Sequence, residues 1–570
     1  MIIAGLQLTV AFVGLLAGKK TDDDKYDCLL MILSAFTAAV ATFSLISQIS
    51  APISRYFSFF DFVALKNIRC GFGLLSDSLS IVSSWVICVA TAIINCYSLG
   101  YMRKNSASFL FYLNLLSLTA ILFVSSGNLL QMYIFWEALS VISGLLISSD
   151  EKNSSAESAV KTIAFHKFGD VGLLIATASL VRIFGSFDLN EINKFFVGND
   201  SHLRKLEVTA IIAALSIFVK SLRIESTAGL KNTSDEPIPG VALMHSSTLM
   251  TAGVFLMIRL QSLFECSEFV QNTTAAIGLL CAVIYGVKAV FAGDVSEILL
   301  CSTRSQVGFM LAACGLSAYG AAVTLFVTHA FSKLSLILAV GSAVYSLSGE
   351  RDLRNMGGLF ELLPKTYISF VLAAVSLVGI PLLPSYYAGK ILLNEIIVGN
   401  SLMCRAAPLL IIAVSILTSI CLFRLIRLIF HGEVKTTETG LAYLNENNNF
   451  VIYSLYVSVF FAIFSGVFFY YALYGDVIWT DIFAFSHGEN GYATFIFSVV
   501  NFIGVIAALS ICNFVKLRDA APESKSEIPA GLKRIAADII RNFDVVFYRK
   551  CWLAAARKIR SEKESTDVRR

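Results

Sequence analysis

The chain has 570 residues, 56% of them hydrophobic and 15% charged, with a mean hydropathy of +0.74. A soluble domain carries about 25% charged residues, so this composition excludes an ordinary water-soluble protein. The net charge of +4 is unevenly placed: residues 516–570 hold 14 Lys/Arg against 8 Asp/Glu, a net +6 that leaves the remainder at −2.

Apolar runs of roughly 17–25 residues recur from end to end, each long enough to cross a hydrocarbon core about 30 Å thick. Only helices and closed barrels satisfy their backbone groups in lipid, and uninterrupted runs without ten-residue alternation exclude a barrel. The expected fold class is all-α, a polytopic membrane helix bundle. Spans are expected near 2–17, 28–50, 78–102, 107–125, 127–148, 160–185, 205–222, 238–260, 272–293, 298–318, 320–347, 365–398, 402–430, 450–475 and 491–515. The first, "MIIAGLQLTVAFVGLLAG", lacks a basic leader region and is not an Arg/Ser-rich transit peptide, so it reads as a spanning helix. Two spans are expected to be discontinuous. The polar segment Glu225–Glu236 interrupts the seventh, and Pro381 and Pro384 interrupt the twelfth within "SLVGIPLLPSYYAGKILLNEII", because proline removes a backbone donor and clashes with the preceding turn.

Residues 530–560 read differently. Ile535, Ile539, Phe543 and Val546 recur at helical spacing with Lys533, Arg534 and Arg541 between them, the pattern of an amphipathic helix lying along a surface. By the positive-inside rule this basic tail faces the matrix or cytoplasm, and fifteen spans put the N-terminus on the opposite side. The twelve cysteines form no C-x-x-C and no Cys/His cluster; they read as small hydrophobes, with no metal or iron–sulfur site. No P-loop or G-x-G-x-x-G occurs, so no nucleotide-binding route is legible, and no nucleic-acid partner is expected.

An ionisable group near mid-bilayer costs about 2.5–3.5 kcal/mol on insertion scales and is a functional candidate by default. Glu137 lies in "LLQMYIFWEALSVISGLLIS"; His166, Lys167 and Asp170 lie in "KTIAFHKFGDVGLLIA". Lys220 and His245 lie in the seventh and eighth spans, Lys288 in the ninth, His329 and Lys333 in "FVTHAFSKLSLIL", and Lys390 in the broken twelfth. His329 and Lys333 are i, i+4, as are His166 and Asp170, so each pair shares a helix face. Carboxylates near lysines favour charge while burial opposes it. Groups so balanced exchange protons, and a line of Glu, Lys and His at similar depth suits a proton relay with water in the gaps. Arg259, Arg424 and Arg427, near helix ends, read as snorkelling side chains. For Lys288 snorkelling and function stay open, and for His166 a satisfied core histidine stays open. An interhelical salt bridge would also explain Glu137 and Lys220.

The segment "DEPIPGVALMHSSTLMTAGVFLMIRL" resembles the G-P-T-P-V-S-A-L-[IL]-H stretch of the NADH–ubiquinone oxidoreductase chain 5 family, the distal antiporter-like membrane subunits of respiratory complex I. The likeness continues through "LLSDSLSIVSSWV", "YSLGYM", "NLLQMYIFWEALSVISGLLI", "FHKFGDVGLLIA", "CSTRSQVGFMLAACG", "THAFSKLSLILAVGS", "RDLRNMGGL" and "FHGE", in the family's order over about residues 72–433. Position by position, the resemblance implies that Glu137 and Lys220 are the carboxylate–lysine pair of the fifth and seventh helices. It makes Asp170 the sixth-helix aspartate, His245 the eighth-helix connecting histidine, and His329 with Lys333 the eleventh-helix pair. Lys390 then stands near the exit lysine of the twelfth helix.

Several positions depart from the family. Its histidine, tryptophan and proline after Lys220 become Thr227, Gly229 and Lys231, and its histidine one turn before His329 is Leu325. At the twelfth-helix break G-F-x-S-K-D is "SYYAGK", so without a gap the lysine falls on Gly389 and Lys390 on the aspartate. The D-I-K before the tenth helix is "DVSE". Residues 530–560 stand where the family has a lateral helix.

The resemblance implies a chain without cofactors of its own, with NADH, FMN, iron–sulfur clusters and ubiquinone held by other subunits. It implies an adjacent chain 4 antiporter-like subunit, other membrane-arm and accessory subunits, and lipids such as cardiolipin as partners. The implied location is the mitochondrial inner membrane, or else a bacterial plasma membrane; erosion of motifs beside 44 phenylalanines favours the former. The organisation expected is N-terminal spans in 1–106, an antiporter-like core in 107–433, two spans in 434–516 and a basic tail in 517–570. Two other readings stay open: a subunit of a sodium/proton antiporter or membrane-bound hydrogenase, and a scaffold of the membrane arm that no longer pumps.

Overall fold

A computed structural model of the chain describes residues 1–17, 25–64, 69–102, 107–149, 153–189, 191–192, 203–222, 238–380, 382–398, 402–435, 448–474 and part of 495–510. The polar interruption at 225–236, Pro381, most of the expected span at 491–515 and the tail at 530–560 lie outside them.

Two helices, α1 (Ile2–Leu16) and α2 (Lys25–Ser50), precede a β-hairpin of β1 (Arg55–Ala64) and β2 (Arg69–Ser76). The hairpin is an addition to the helical bundle that hydropathy alone did not signal. Its strands pair antiparallel from Arg55 opposite Ser76 to Ala64 opposite Arg69, with irregularities between Ser58 and Phe60 and between Asp61 and Val63. Stacking of Phe60 on Phe72 at 5.4 Å closes one face.

Four further helices follow: α3 (Ser78–Tyr101), α4 (Ala107–Val124), α5 (Leu129–Ser148) and α6 (Asn153–Phe184). The next, α7 (Leu203–Ser221), carries Lys220 in its last turn. Residues 238–260, expected as one span, form two helices, α8 (Ile238–Ser246) and α9 (Ala252–Arg259), with turns between them. The serine and threonine run Ser246–Thr248 explains the interruption: such side chains offer the backbone alternative hydrogen bonds, and Thr248 Oγ1 donates to the Leu243 carbonyl at 3.1 Å. A short turn of helix, α10 (Gln261–Phe264), leads to α11 (Glu268–Phe291), α12 (Val295–Gly315) and α13 (Tyr319–Ser346). Then come α14 (Pro364–Val378), α15 (Pro384–Val398), α16 (Leu402–Phe430) and α17 (Asn449–Tyr474). Between α14 and α15 the chain turns on Gly379 at φ +80° and Leu382 at φ +73°.

Among the described residues, nine helices are long and apolar enough to cross a membrane, and Ile2–Leu16 and Pro364–Val378 are shorter apolar helices. The bundle's axis is α13, buried without interruption from Tyr319 to Val344. Trp85 of α3 meets Phe331 of α13 edge-on at 5.2 Å, and Phe331 stacks on Phe461 of α17 at 5.2 Å. Without a hydrophobic force between helices in lipid, close packing and polar contacts hold them together. The α11–α12 pair shows the first: a Cβ on Gly278 would lie 2.7 Å from the Ala312 backbone nitrogen, and one on Gly315 2.4 Å from that of Ala275. Asn95, Asn114 and Gln7 show the second, with paired amides at 2.9 and 3.1 Å between α3 and α4 and a third from α1 at 3.4 Å. Such interhelical bonds contribute about 0.6 kcal/mol each.

Arg259 and Arg424, read from the sequence as snorkelling side chains, each have protein partners at a helix end. Arg259 forks onto both oxygens of Asp77, the α3 N-cap, and reaches Ser80 Oγ at 2.9 Å. Arg424 donates to the Ala292 carbonyl at 2.7 Å, capping the end of α11. In both cases the acceptors lie at a helix terminus.

Candidate ion-translocation site

The first group of candidate residues is built by α5, α6 and α7. Lys220 Nζ meets Asp170 Oδ1 at 2.8 Å, and both side chains are fully buried. The same ammonium donates to the Trp136 carbonyl and sits 4.1 Å from the centroid of the Trp136 ring. Glu137, one residue on, is held by Lys167 and accepts from Tyr133 Oη at 2.8 Å. Lys167 also stands 3.7 Å from Asp170 Oδ2. The result is a chain of alternating sign, Glu137–Lys167–Asp170–Lys220.

Glu137 and Lys220, expected as the carboxylate–lysine pair of the fifth and seventh helices, each contact α6: Asp170 holds Lys220, and Lys167 holds Glu137. Gly169 explains why α6 supplies the partner. A Cβ there would lie 2.9 Å from the Ser216 carbonyl of α7, so only glycine lets the two backbones close enough for Asp170 to reach Lys220. The paired Gly169–Asp170 in the sequence thus has a physical meaning.

His245 ends α8 and is buried, 3% exposed. His329 of α13 is buried as well, 2% exposed. Lys333, one turn further along α13 and fully buried, donates to Ser302 Oγ of α12 at 2.8 Å. Beside it, Ser332 accepts from Ser376 Oγ at 2.7 Å, and the Ser376 carbonyl accepts from Ser385 Oγ at 2.8 Å, which ties α13 across the α14–α15 break. Lys390, on the far side of that break, donates to Tyr470 Oη of α17 at 2.6 Å and lies 5.0 Å from its ring centroid. His166 is fully buried, and Lys288 is 8% exposed.

Sequence reasoning missed the residues that hold these charges. Tyr133 lies one turn before Glu137, and Trp136 is adjacent to it, so both were within reach of spacing arguments. Ser302 and Tyr470 come from other helices and give no local signal. Arg304 of α12 is fully buried, with its guanidinium 5.3 Å from the Tyr285 ring centroid; an arginine inside "CSTRSQ" was the missed cue.

Among the described residues no group of three or more His, Cys, Asp or Glu could hold a metal ion. What the arrangement supports is proton exchange between side chains: buried ammonium and carboxylate groups in contact, imidazoles beyond them, and hydroxyls at the junctions.

A bundle of apolar helices that buries such a line of ionisable groups defines a polytopic membrane protein of the ion-translocating class. The profile of the family described as NADH:quinone oxidoreductase/Mrp antiporter, transmembrane, matches residues 126–420, and that of NADH-ubiquinone oxidoreductase (complex I), chain 5 N-terminus, matches residues 62–112. The chain therefore belongs to the NADH:quinone oxidoreductase/Mrp antiporter family. It is 28% identical over 460 residues to NADH-ubiquinone oxidoreductase chain 5 of Chondrus crispus, covering 75% of this chain and 68% of that one. To NADH-quinone oxidoreductase subunit L of Rickettsia typhi it is 28% identical over 454 residues, covering 78% and 69%. In fold it is similar to a chain of the Mrp complex from Dietzia sp., with a TM-score of 0.72, 20% identity, and coverage of 99% of this chain and 62% of that one.

Proposed function

We propose that the chain is a proton-translocating membrane subunit of an NADH:quinone oxidoreductase complex, driven by quinone reduction in other subunits. The observation that carries this reading is the fully buried Lys220–Asp170 pair continued by Lys167 and Glu137. Buried ion pairs hold helices together poorly, since apolar residues of similar volume often do as well or better. Charges kept in such a place have a use beyond packing.

In this reading Lys220 is the switching base. It takes a proton through the Glu137–Lys167–Asp170 chain and releases it toward His245 when its contact with Asp170 opens. His245 passes it to His329 and Lys333, and water bridges the gaps. Lys390 is the outward end, across the broken helix, where backbone groups freed at the α14–α15 junction admit water. The cofactors of the reaction, NADH, FMN, iron–sulfur clusters and ubiquinone, belong to other subunits. Partners are the other subunits of the membrane arm, a chain 4 type neighbour among them, and lipids such as cardiolipin. The membrane is the mitochondrial inner membrane or a bacterial plasma membrane.

The fold likeness to an Mrp complex favours a second reading, a subunit of a multi-subunit sodium/proton antiporter. Gentle solubilisation of native membranes, separation by size, an NADH-dehydrogenase activity stain and mass spectrometry of this chain's peptides decide between them. Migration with the active, largest band is expected. Migration in a smaller band without that activity overturns the first reading and directs the next test to sodium transport.

A further inference from the structure

Trp136 of α5 is fully buried and lies against the lysine of the charge cluster. Lys220 Nζ stands 4.1 Å from the centroid of its ring, and the same ammonium donates to the Trp136 backbone carbonyl. One residue thus presents two electron-rich surfaces to one charge, beside the Asp170 carboxylate at 2.8 Å. The remaining charges of the cluster are Lys167, 3.7 Å from Asp170, and Glu137, which Lys167 holds.

Tryptophan leaves a polar atom unmatched at this position. A buried indole N–H usually finds a partner, yet among the described residues Trp136 Nε1 makes no hydrogen bond. Neither does Ser140 Oγ, one turn along the same face of α5. A buried donor without a partner is destabilising. The ring packs on Phe123 of α4 with centroids 5.8 Å apart, and phenylalanine or leucine would serve that packing without an orphaned N–H. What tryptophan adds over them is its π face, the best of the aromatic faces for a cation, and Lys220 lies over that face.

We propose that Trp136 is a positioning residue, whose ring face and carbonyl form a second seat for the Lys220 ammonium, occupied when the contact with Asp170 opens. An ammonium has three donors; in this seat the carbonyl and the π face hold it, and the uncommitted Ser140 hydroxyl is the acceptor on the same helix face. Without the ring, opening the ion pair strands a buried charge, which is strongly destabilising, and the pair stays shut. A π face binds a cation less tightly than a carboxylate does, so a lysine resting there gives up its proton more readily. The inference rests on the relay reading above, and its test separates the two.

A double-mutant cycle in the assembled complex combines Trp136→Leu, and separately Trp136→Phe, with Lys220→Met, read as the thermal midpoint of the fraction at assembled size. The backbone carbonyl persists in every variant, so the cycle isolates the ring. Trp136→Leu is expected to lower the midpoint more in the native background than in the Lys220→Met background, and Trp136→Phe to show a smaller difference of the same sign. Where Trp136→Leu does not assemble, the milder Trp136→Phe carries the cycle. Equal drops in the two backgrounds mean that the ring only fills space, and overturn the seat. In proteoliposomes, at matched amounts of assembled complex, Trp136→Leu should lower the proton-to-electron ratio by the same fraction as Lys220→Met, and Trp136→Phe by less. A full ratio in Trp136→Leu beside a lowered one in Lys220→Met overturns the seat and leaves the relay standing. An unchanged ratio in Lys220→Met overturns the relay itself.

Discussion

Asp170→Asn removes one charge from a pair whose side chains are both fully buried and 2.8 Å apart. Lys220 then keeps the Trp136 carbonyl and ring face and a neutral amide oxygen in place of the carboxylate. Removing one partner of a buried pair costs about 3–5 kcal/mol, because the other charge is left uncompensated. Lys220→Met attacks the same pair from the other side, but Asp170 retains Lys167 at 3.7 Å. Its loss is expected to fall to about 1.5–3 kcal/mol, the value of one hydrogen bond to a charged group. The double variant Asp170→Leu/Lys220→Met replaces both charges with apolar groups and is expected to be neutral or mildly stabilising. The assay heats the purified complex in detergent and follows the fraction that remains at assembled size. The midpoint should fall most for Asp170→Asn, less for Lys220→Met and least for the double variant. All three should lower the proton-to-electron ratio in proteoliposomes. A double variant as unstable as the sum of the singles would refute the pairing, and an unchanged ratio in it would refute the function.

Three further outcomes are expected. Gly466→Ala places a Cβ 2.1 Å from Pro384 Cα, a backbone atom that cannot rotate away, so overpacking should cost about 1–3 kcal/mol; Gly5→Ala, with nothing within 4 Å, should leave the thermal midpoint unchanged. Arg259→Lys gives up a forked contact with Asp77 that an ammonium cannot reproduce. Thermal dispersal should come earlier by the equivalent of about 1.5–3 kcal/mol, with the proton-to-electron ratio intact. Tyr470→Phe deletes the hydroxyl that receives the Lys390 hydrogen bond and keeps the ring. Assembly should survive while the ratio falls, and a full ratio would remove Lys390 from the relay.

The helices were legible because spans in lipid leave long apolar runs, and the deep charges were legible because apolar residues surround them. Who pairs with whom was not. Glu137 and Lys220 were matched by position in a motif, whereas the pairing is decided by how closely α6 approaches α7 at Gly169, a tertiary fact. The β-hairpin was passed over because residues 51–77 fall between two expected spans, and only apolar runs of helix length were sought there. The break within 238–260 was written in Ser246–Thr248, residues weak as hydrophobicity signals and strong as local hydrogen-bonders. "FHGE" and "RDLRNMGGL", recognisable as strings, acquire a reason only in space. The His431 ring stacks on Phe360 at 5.8 Å, and a Cβ on Gly358, at φ +69°, would lie 2.5 Å from Val434 Cγ2, so the two motifs lock one connecting loop to the end of α16.

The alternating charges of α5, α6 and α7 also bear on how the chain enters its membrane. Each ionisable group inserted singly at the bilayer centre costs about 2.5–3.5 kcal/mol. Glu137 arrives first during synthesis, its lysine one helix later, and Lys220 last, to an aspartate already in place. Insertion of these helices is therefore cooperative. A nascent chain that stops before Lys220 leaves Asp170 without its buried partner, and α6 and α7 stay embedded as a set or are released as one.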